Sequence, residues 1–159
     1  MADMVSGFLL PDVDDEDSAP FWEGCAKGEL RVQACGSCGR LRFPPRPMCP
    51  WCRSLAREWK PVSGRGRVWS FVVPHPPLLP AYQDLAPYNV VLVELDDDPS
   101  IRLVGNLVEA GGDGAGGGAG AGAGAINSVD PATITVGEPV QVVFDAADGD
   151  VSLPRWTRP

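Results

Sequence analysis

Cys35-Gly36-Ser37-Cys38-Gly39, with ten residues separating Cys38 from Cys49-Pro50-Trp51-Cys52, is the stretch that decides how this chain folds. Each Cys-x2-Cys wraps two sulfurs onto one ion. Two such knuckles complete a tetrahedral zinc site with Zn–S distances of about 2.3 Å. Gly36 and Gly39 ease the tight turn of the first knuckle and let backbone N–H groups approach sulfur. Four thiolates close the coordination sphere, leaving no position for water or substrate, so the spacing predicts a structural metal: Cys35, Cys38, Cys49 and Cys52. Two other chemistries use the same residues. Paired disulfides are opposed by the lack of a secretion signal and by the odd cysteine, Cys25. A redox iron centre has no electron-transfer context in this sequence.

Working outward, Leu30, Val32 and Ala34 alternate with Glu29, Arg31 and Gln33, which predicts a half-buried strand running into Cys35. Before it comes a short helix. Asp17 or Ser18 can cap it, Pro20 suits its first turn, and Phe21, Trp22 and Cys25 share a face before Gly28 ends it. That aromatic face has little of its own to pack against, so Phe21 and Trp22 are expected to anchor a partner. The residues ahead of the helix are acidic and interrupted by proline, a flexible or partner-docked lead.

Beyond the second knuckle the propensities turn to β. Strands are expected at 67–73, 88–95, 101–108, 140–144 and 151–153, separated by Gly64-Arg65-Gly66, a Pro-rich stretch at 74–80, Asp96-Asp97-Asp98-Pro99, and Gly137 ahead of Pro139. Five short strands with no long helical pattern among them fit a small barrel of the OB type, with a sandwich as the fallback. Residues 111–125 comprise nine Gly, five Ala and Asp113. With no side chains to bury and high backbone entropy they read as a mobile loop, and the glycine-rich phosphate cradle is opposed because no Gly-x-Gly-x-x-Gly-to-helix context or Lys-Ser/Thr follows. The expected organisation is an acidic lead and docking helix at 1–28, a zinc ribbon at 29–60 and an OB-fold domain at 61–159.

The net charge of −8 is unevenly spread: residues 27–67 hold ten of the thirteen basic residues and sum to +8, leaving −16 for the rest. A tetrathiolate around a divalent ion offsets part of the excess, and the remaining field attracts anions such as phosphate. Arg binds phosphate through bidentate hydrogen bonds, which makes Arg40, Arg42 and Arg46 the candidate contacts. No run reaches the roughly 18 apolar residues of a membrane helix, so no membrane partner is expected and a cytoplasmic location is the default. His75 sits in a rigid proline loop with no nucleophile or carboxylate dyad beside it, and Cys25 lies in an apolar helix. No catalytic set emerges.

Further residues carry a resemblance. Phe21-Trp22-Glu23-Gly24, Gly28-Glu29-Leu30, the run Cys35 to Arg46, and Cys49-Pro50-Trp51-Cys52 resemble the acyl-CoA-associated zinc-ribbon and OB-fold proteins that accompany thiolases. Ser63 to Ser70, Pro87-Tyr88, Val93-Glu94-Leu95 and Gly137-Glu138-Pro139-Val140 agree. Arg102 to Val108 and Leu153-Pro154-Arg155-Trp156 are most similar to the accessory domain of steroid side-chain aldolases. The resemblance implies a mainly β chain with a short N-terminal helix, a rubredoxin-like ribbon and a five-stranded OB barrel. It further implies a non-catalytic accessory subunit, in a hetero-oligomer with a thiolase-fold, lipid-transfer-protein-like subunit, the CoA thioester being bound jointly. The expected reaction is retro-aldol cleavage in steroid degradation. The alternatives are an acetyl-CoA acyltransferase or hydroxymethylglutaryl-CoA synthase complex, and a nucleic-acid-binding module. The last is opposed by the overall acidity and by Glu94, Asp96, Asp97 and Asp98, which repel a phosphate backbone.

Overall fold

The computed structural model describes residues 9–111, 125–149 and 151–159. The expected Gly/Ala loop, except for its two ends, lies outside the described residues, as does the start of the acidic lead.

Helix α1 spans Ala19–Ala26. Ser18 takes the cap position, but its hydroxyl donates to Asp15 Oδ2 at 2.7 Å rather than accepting from the helix. The carbonyl of Ser18 receives the first helical bond, from Phe21 N at 2.9 Å. At the other end Gly28, at φ +73, lets Gly28 N donate to Cys25 O and Glu29 N to Gly24 O, the paired bonds of a Schellman stop. The aromatic face does not wait for a partner. The helix packs on the chain's own barrel and ribbon, and Phe21 is sealed in the core with its ring 5.3 Å from that of Phe43. Of the two aromatics, Trp22 alone remains half-buried.

The ribbon is a three-stranded antiparallel sheet with β1 (Arg31–Cys35) between β2 (Leu41–Arg42) and β3 (Arg57–Pro61). The alternation expected for β1 is only half realised. Leu30, Val32 and Ala34 are buried, but so is Gln33. Its Oε1 accepts from Arg42 Nε and from Arg46 N, and Arg42 Nη2 donates to Arg46 O at 3.2 Å. A polar residue on the expected solvent face is therefore buried because a partner nine residues away closes over it.

The second sheet has the order β6-β5-β4-β7-β8, all antiparallel. Its strands are β4 (Arg65–Val72), β5 (Val90–Leu95), β6 (Arg102–Gly105), β7 (Pro139–Asp148) and β8 (Val151–Thr157), with a short helix α2 (Pro80–Gln83) between β4 and β5. The alternation of β4 places Trp69 on the exposed face, a bulge leaves it unpaired with β5, and the Arg102 guanidinium lies 4.0 Å from its ring centroid.

The strand expected to run to Val108 stops at Gly105, and the one expected at 151–153 continues to Thr157. Both differences have one cause. After Gly105 the chain turns away and pairs in parallel with β8, Trp156 N donating to Asn106 O and Val108 N to Trp156 O, so the two sheet edges meet and the barrel closes. Asn89 fastens the seam, its amide exchanging two hydrogen bonds with the backbone of Leu107 at 2.7 and 2.8 Å. Trp156 fills the barrel end against Gly105, where a Cβ would come within 2.9 Å of the indole. One apolar cluster runs through the molecule, joining Phe21 and Cys25 of the helix, Leu30 and Val32 of the ribbon, and Val68, Val93, Leu103 and Trp156 of the barrel.

Candidate metal centre and apolar groove

The two knuckles are local copies of one another. In each, the first cysteine is tethered through its amide, Cys35 N donating to Arg40 O and Cys49 N to Ser54 O. The residue after the second cysteine then donates back, Gly39 N to Cys35 O and Arg53 N to Cys49 O, all at 2.9 to 3.0 Å. Gly39 sits at φ +73 and Arg53 at φ +62, so both knuckles close through a left-handed residue. Ser37 Oγ and Ser54 Oγ, 2.7 Å apart, clasp the two loops together.

This geometry brings the four sulfurs within 4.8 Å of one another. Cys35–Cys52 and Cys38–Cys49 Sγ separations are 3.5 and 3.7 Å, and all five cysteines are free thiols. A tetrahedron with Zn–S of about 2.3 Å has edges of about 3.8 Å, so the donor set fits zinc and the disulfide alternative does not apply. Ser37 N and Cys38 N point at Cys35 Sγ from 3.4 Å. These N–H groups, Cys38 first, lower the Cys35 thiol to about 6, which favours the thiolate that a metal requires. Zinc here would supply cross-linking rather than chemistry, since every donor position is filled.

The three candidate arginines fall in different surroundings. Arg40 is exposed, its guanidinium 5.3 Å from the Trp51 ring centroid at the ribbon tip. Arg46 is exposed as well. Arg42 is not available to a phosphate, because it is 4% exposed and already engaged with Gln33 and Arg46. Elsewhere the ribbon's charge meets the acidic lead, Arg57 pairing with Asp17 and Glu16. Cys25 is buried, and desolvation pushes its thiol up to about 12, which makes it inert. His75 is exposed in its loop.

A second feature had no signal in the sequence. A groove of about 1220 Å³ opens between helix α1, the ribbon loop at 43–45, the α2 region and the ends of β6, β7 and β8. Its walls are mainly apolar, with Trp22, Phe43, Tyr88, Val104 and Pro154 among them. Polar groups gather on one wall. Arg155 Nη1 donates to Asn106 Oδ1, Arg155 Nε reaches Asp145 Oδ2 at 3.5 Å, and Asn106 Nδ2 donates to Asn89 O. These residues come from four separate segments, and only the closed barrel assembles them.

Two family models match the chain. Residues 22–56 match the ChsH2 rubredoxin-like zinc ribbon domain, and residues 59–145 match the ChsH2 C-terminal OB-fold domain. The chain belongs to the ChsH2 family. Among curated relatives, the 3-oxo-4,17-pregnadiene-20-carboxyl-CoA hydratase alpha subunit of Mycobacterium tuberculosis is 31% identical over 98% of this chain and 40% of its own length. A DUF35 domain-containing scaffold protein of Methanothermobacter thermautotrophicus is 31% identical over 77% of this chain and 80% of its own. The chain spans about two fifths of the length of the hydratase subunits it matches. Among solved structures, a chain of an Ltp2-ChsH2(DUF35) aldolase superposes with a TM-score of 0.73 and 32% identity, covering 93% of this chain and 98% of that one. The two matched stretches include both knuckles and most of the elements from α1 to β7, while β8 lies beyond them.

Proposed function

We propose that this chain is a non-catalytic accessory subunit of a thiolase-fold, lipid-transfer-protein-like enzyme acting on CoA thioesters, and that the complex carries out retro-aldol cleavage in steroid side-chain degradation. The observation that carries this reading is the superposition, over nearly the whole of both chains, with the chain of an Ltp2-ChsH2(DUF35) aldolase. The site chemistry supports it: a metal centre with every donor position filled, and a buried Cys25 with its thiol at about 12. Structural zinc is held by Cys35, Cys38, Cys49 and Cys52. Arg40 and Arg46 bind the CoA phosphates at the ribbon tip, where Trp51 offers a face on which an adenine can stack. Arg42 holds the ribbon from within.

Co-expression with a thiolase-fold subunit encoded beside it tests the assignment. The two chains co-purify, and cleavage of a β-hydroxyacyl-CoA requires both. Turnover by this chain alone, or full turnover by the other chain without it, overturns the reading. In the complex, R40A and R46A each raise KM for the thioester by about tenfold, the effect of removing one charge-assisted hydrogen bond, and leave zinc content unchanged.

A further inference from the structure

The groove is larger than the roughly 300–1,000 Å³ of ordinary small-ligand sites, so a compact metabolite would leave most of it empty. Its walls are flat and rigid, set by Trp22, Phe43, Pro44, Tyr88 and Pro154, which suits a rigid ring system better than a flexible chain. The Arg155 side chain is only 17% exposed, yet it lines this space. Asp145 and Asn106 hold its Nε and Nη1, while Nη2 has no protein partner among the described residues. A guanidinium fixed on one edge and open on the other is a receptor for an oxygen acceptor. Arg102, also on the lining, is paired with Glu94 and stacked on Trp69, and Asp12 and Asp15 lie on the lining contributed by the lead, so Arg155 Nη2 is the donor offered to an oxygen acceptor here.

We propose that this groove binds the rigid multi-ring body of an acyl group, one of its carboxylate or carbonyl oxygens accepting a hydrogen bond from Arg155 Nη2. This deepens the reading above, in that the accessory chain itself holds the acyl body of the thioester.

The test uses the full chain without any partner, titrated by calorimetry with cholate, a four-ring carboxylate, below its micelle-forming concentration. Saturable binding of one cholate per chain is expected, with octanoate weaker. Val104 is 63% exposed and lies on the groove wall, so V104D keeps the fold and places a carboxylate against the rings. Val136 is equally exposed outside the groove, and V136D is its control. V104D and R155A each weaken cholate by about tenfold or more, V136D does not, and R155A weakens methyl cholate less, because its neutral ester carbonyl accepts a weaker bond than a carboxylate. Absence of saturable binding overturns the proposal, as does equal weakening in V104D and V136D, or cholate binding indifferent to R155A. A concentration-dependent dimer that V104D abolishes, without cholate uptake, would give the groove to a second copy and also overturn it. Failure to assemble with a thiolase-fold subunit while cholate still binds removes the accessory reading and leaves the groove. Assembly without cholate binding removes the groove alone.

Discussion

Arg53 occupies, at φ +62, the place that Gly39 occupies at φ +73 in the other knuckle. A side chain there bears the steric cost of the left-handed region, about 1 kcal/mol, which glycine avoids. R53G is therefore expected to raise stability by up to about 1 kcal/mol and G39A to lower it by a similar amount. Chemical denaturation of the zinc-loaded chain measures both, and a stabilising G39A would contradict the equivalence of the two knuckles. Gly105 shows the opposite constraint, one of space. A methyl group there meets the ring of Trp156, which is wholly buried and cannot swing away. G105A is expected to cost about 1–3 kcal/mol and to perturb the near-ultraviolet signal of the indole. Residues with local duties were readable from the sequence: the four cysteines by spacing, Gly39 and Gly28 by position. Gln33 was not, because its burial depends on Arg42 and Arg46 folding across it, and nothing in the alternation of β1 announces a partner on the other strand.

Among the elements, the short turn between the 3-10 helix Pro131–Thr133 and β7 is pinned to the end of β8 by Glu138. Its carboxylate accepts from Arg158 Nε at 2.8 Å and from Thr135 N at 2.8 Å. Burial alone would raise this carboxyl, but the hydrogen bonds and the charge of Arg158 outweigh it and hold it below the ordinary value. A group depressed in the folded state adds stability above its unfolded pKa and loses it as pH falls through the folded one. The stability gap between the native chain and E138Q should thus be widest at neutral pH and shrink on acidification below about pH 4. A gap constant across that range would exclude this ion pair as its source. Helix α1 and the barrel strands were legible because Pro20, Gly28, the turn residues and the β-branched runs act within a few positions. Strand ends were not. Where β6 stops and how far β8 runs are decided by barrel closure, which joins Leu107 to Trp156 across the intervening loop and β7.

For the molecule as a whole, the shared apolar cluster means that ribbon and barrel are not independent. Leu30 and Val32 of the ribbon are packed in the same core as Val68 and Val93 of the barrel. Zinc removal by chelation, or C35S, should therefore lower the barrel's melting temperature together with the ribbon's, in a single transition rather than two. A barrel transition unmoved by metal removal would show the two parts to be separable. The groove belongs to this scale as well, and for that reason sequence reading could not find it: its apolar walls are ordinary residues until distant segments converge. The seam at Leu107 and Trp156 also bears on how the chain comes to be folded in a cell. Because Trp156, which seals the barrel, lies two strands after the β6 edge that it closes on, a nascent chain leaving the ribosome carries an open sheet edge until β8 has followed. During that interval proteases and stray strands compete with closure.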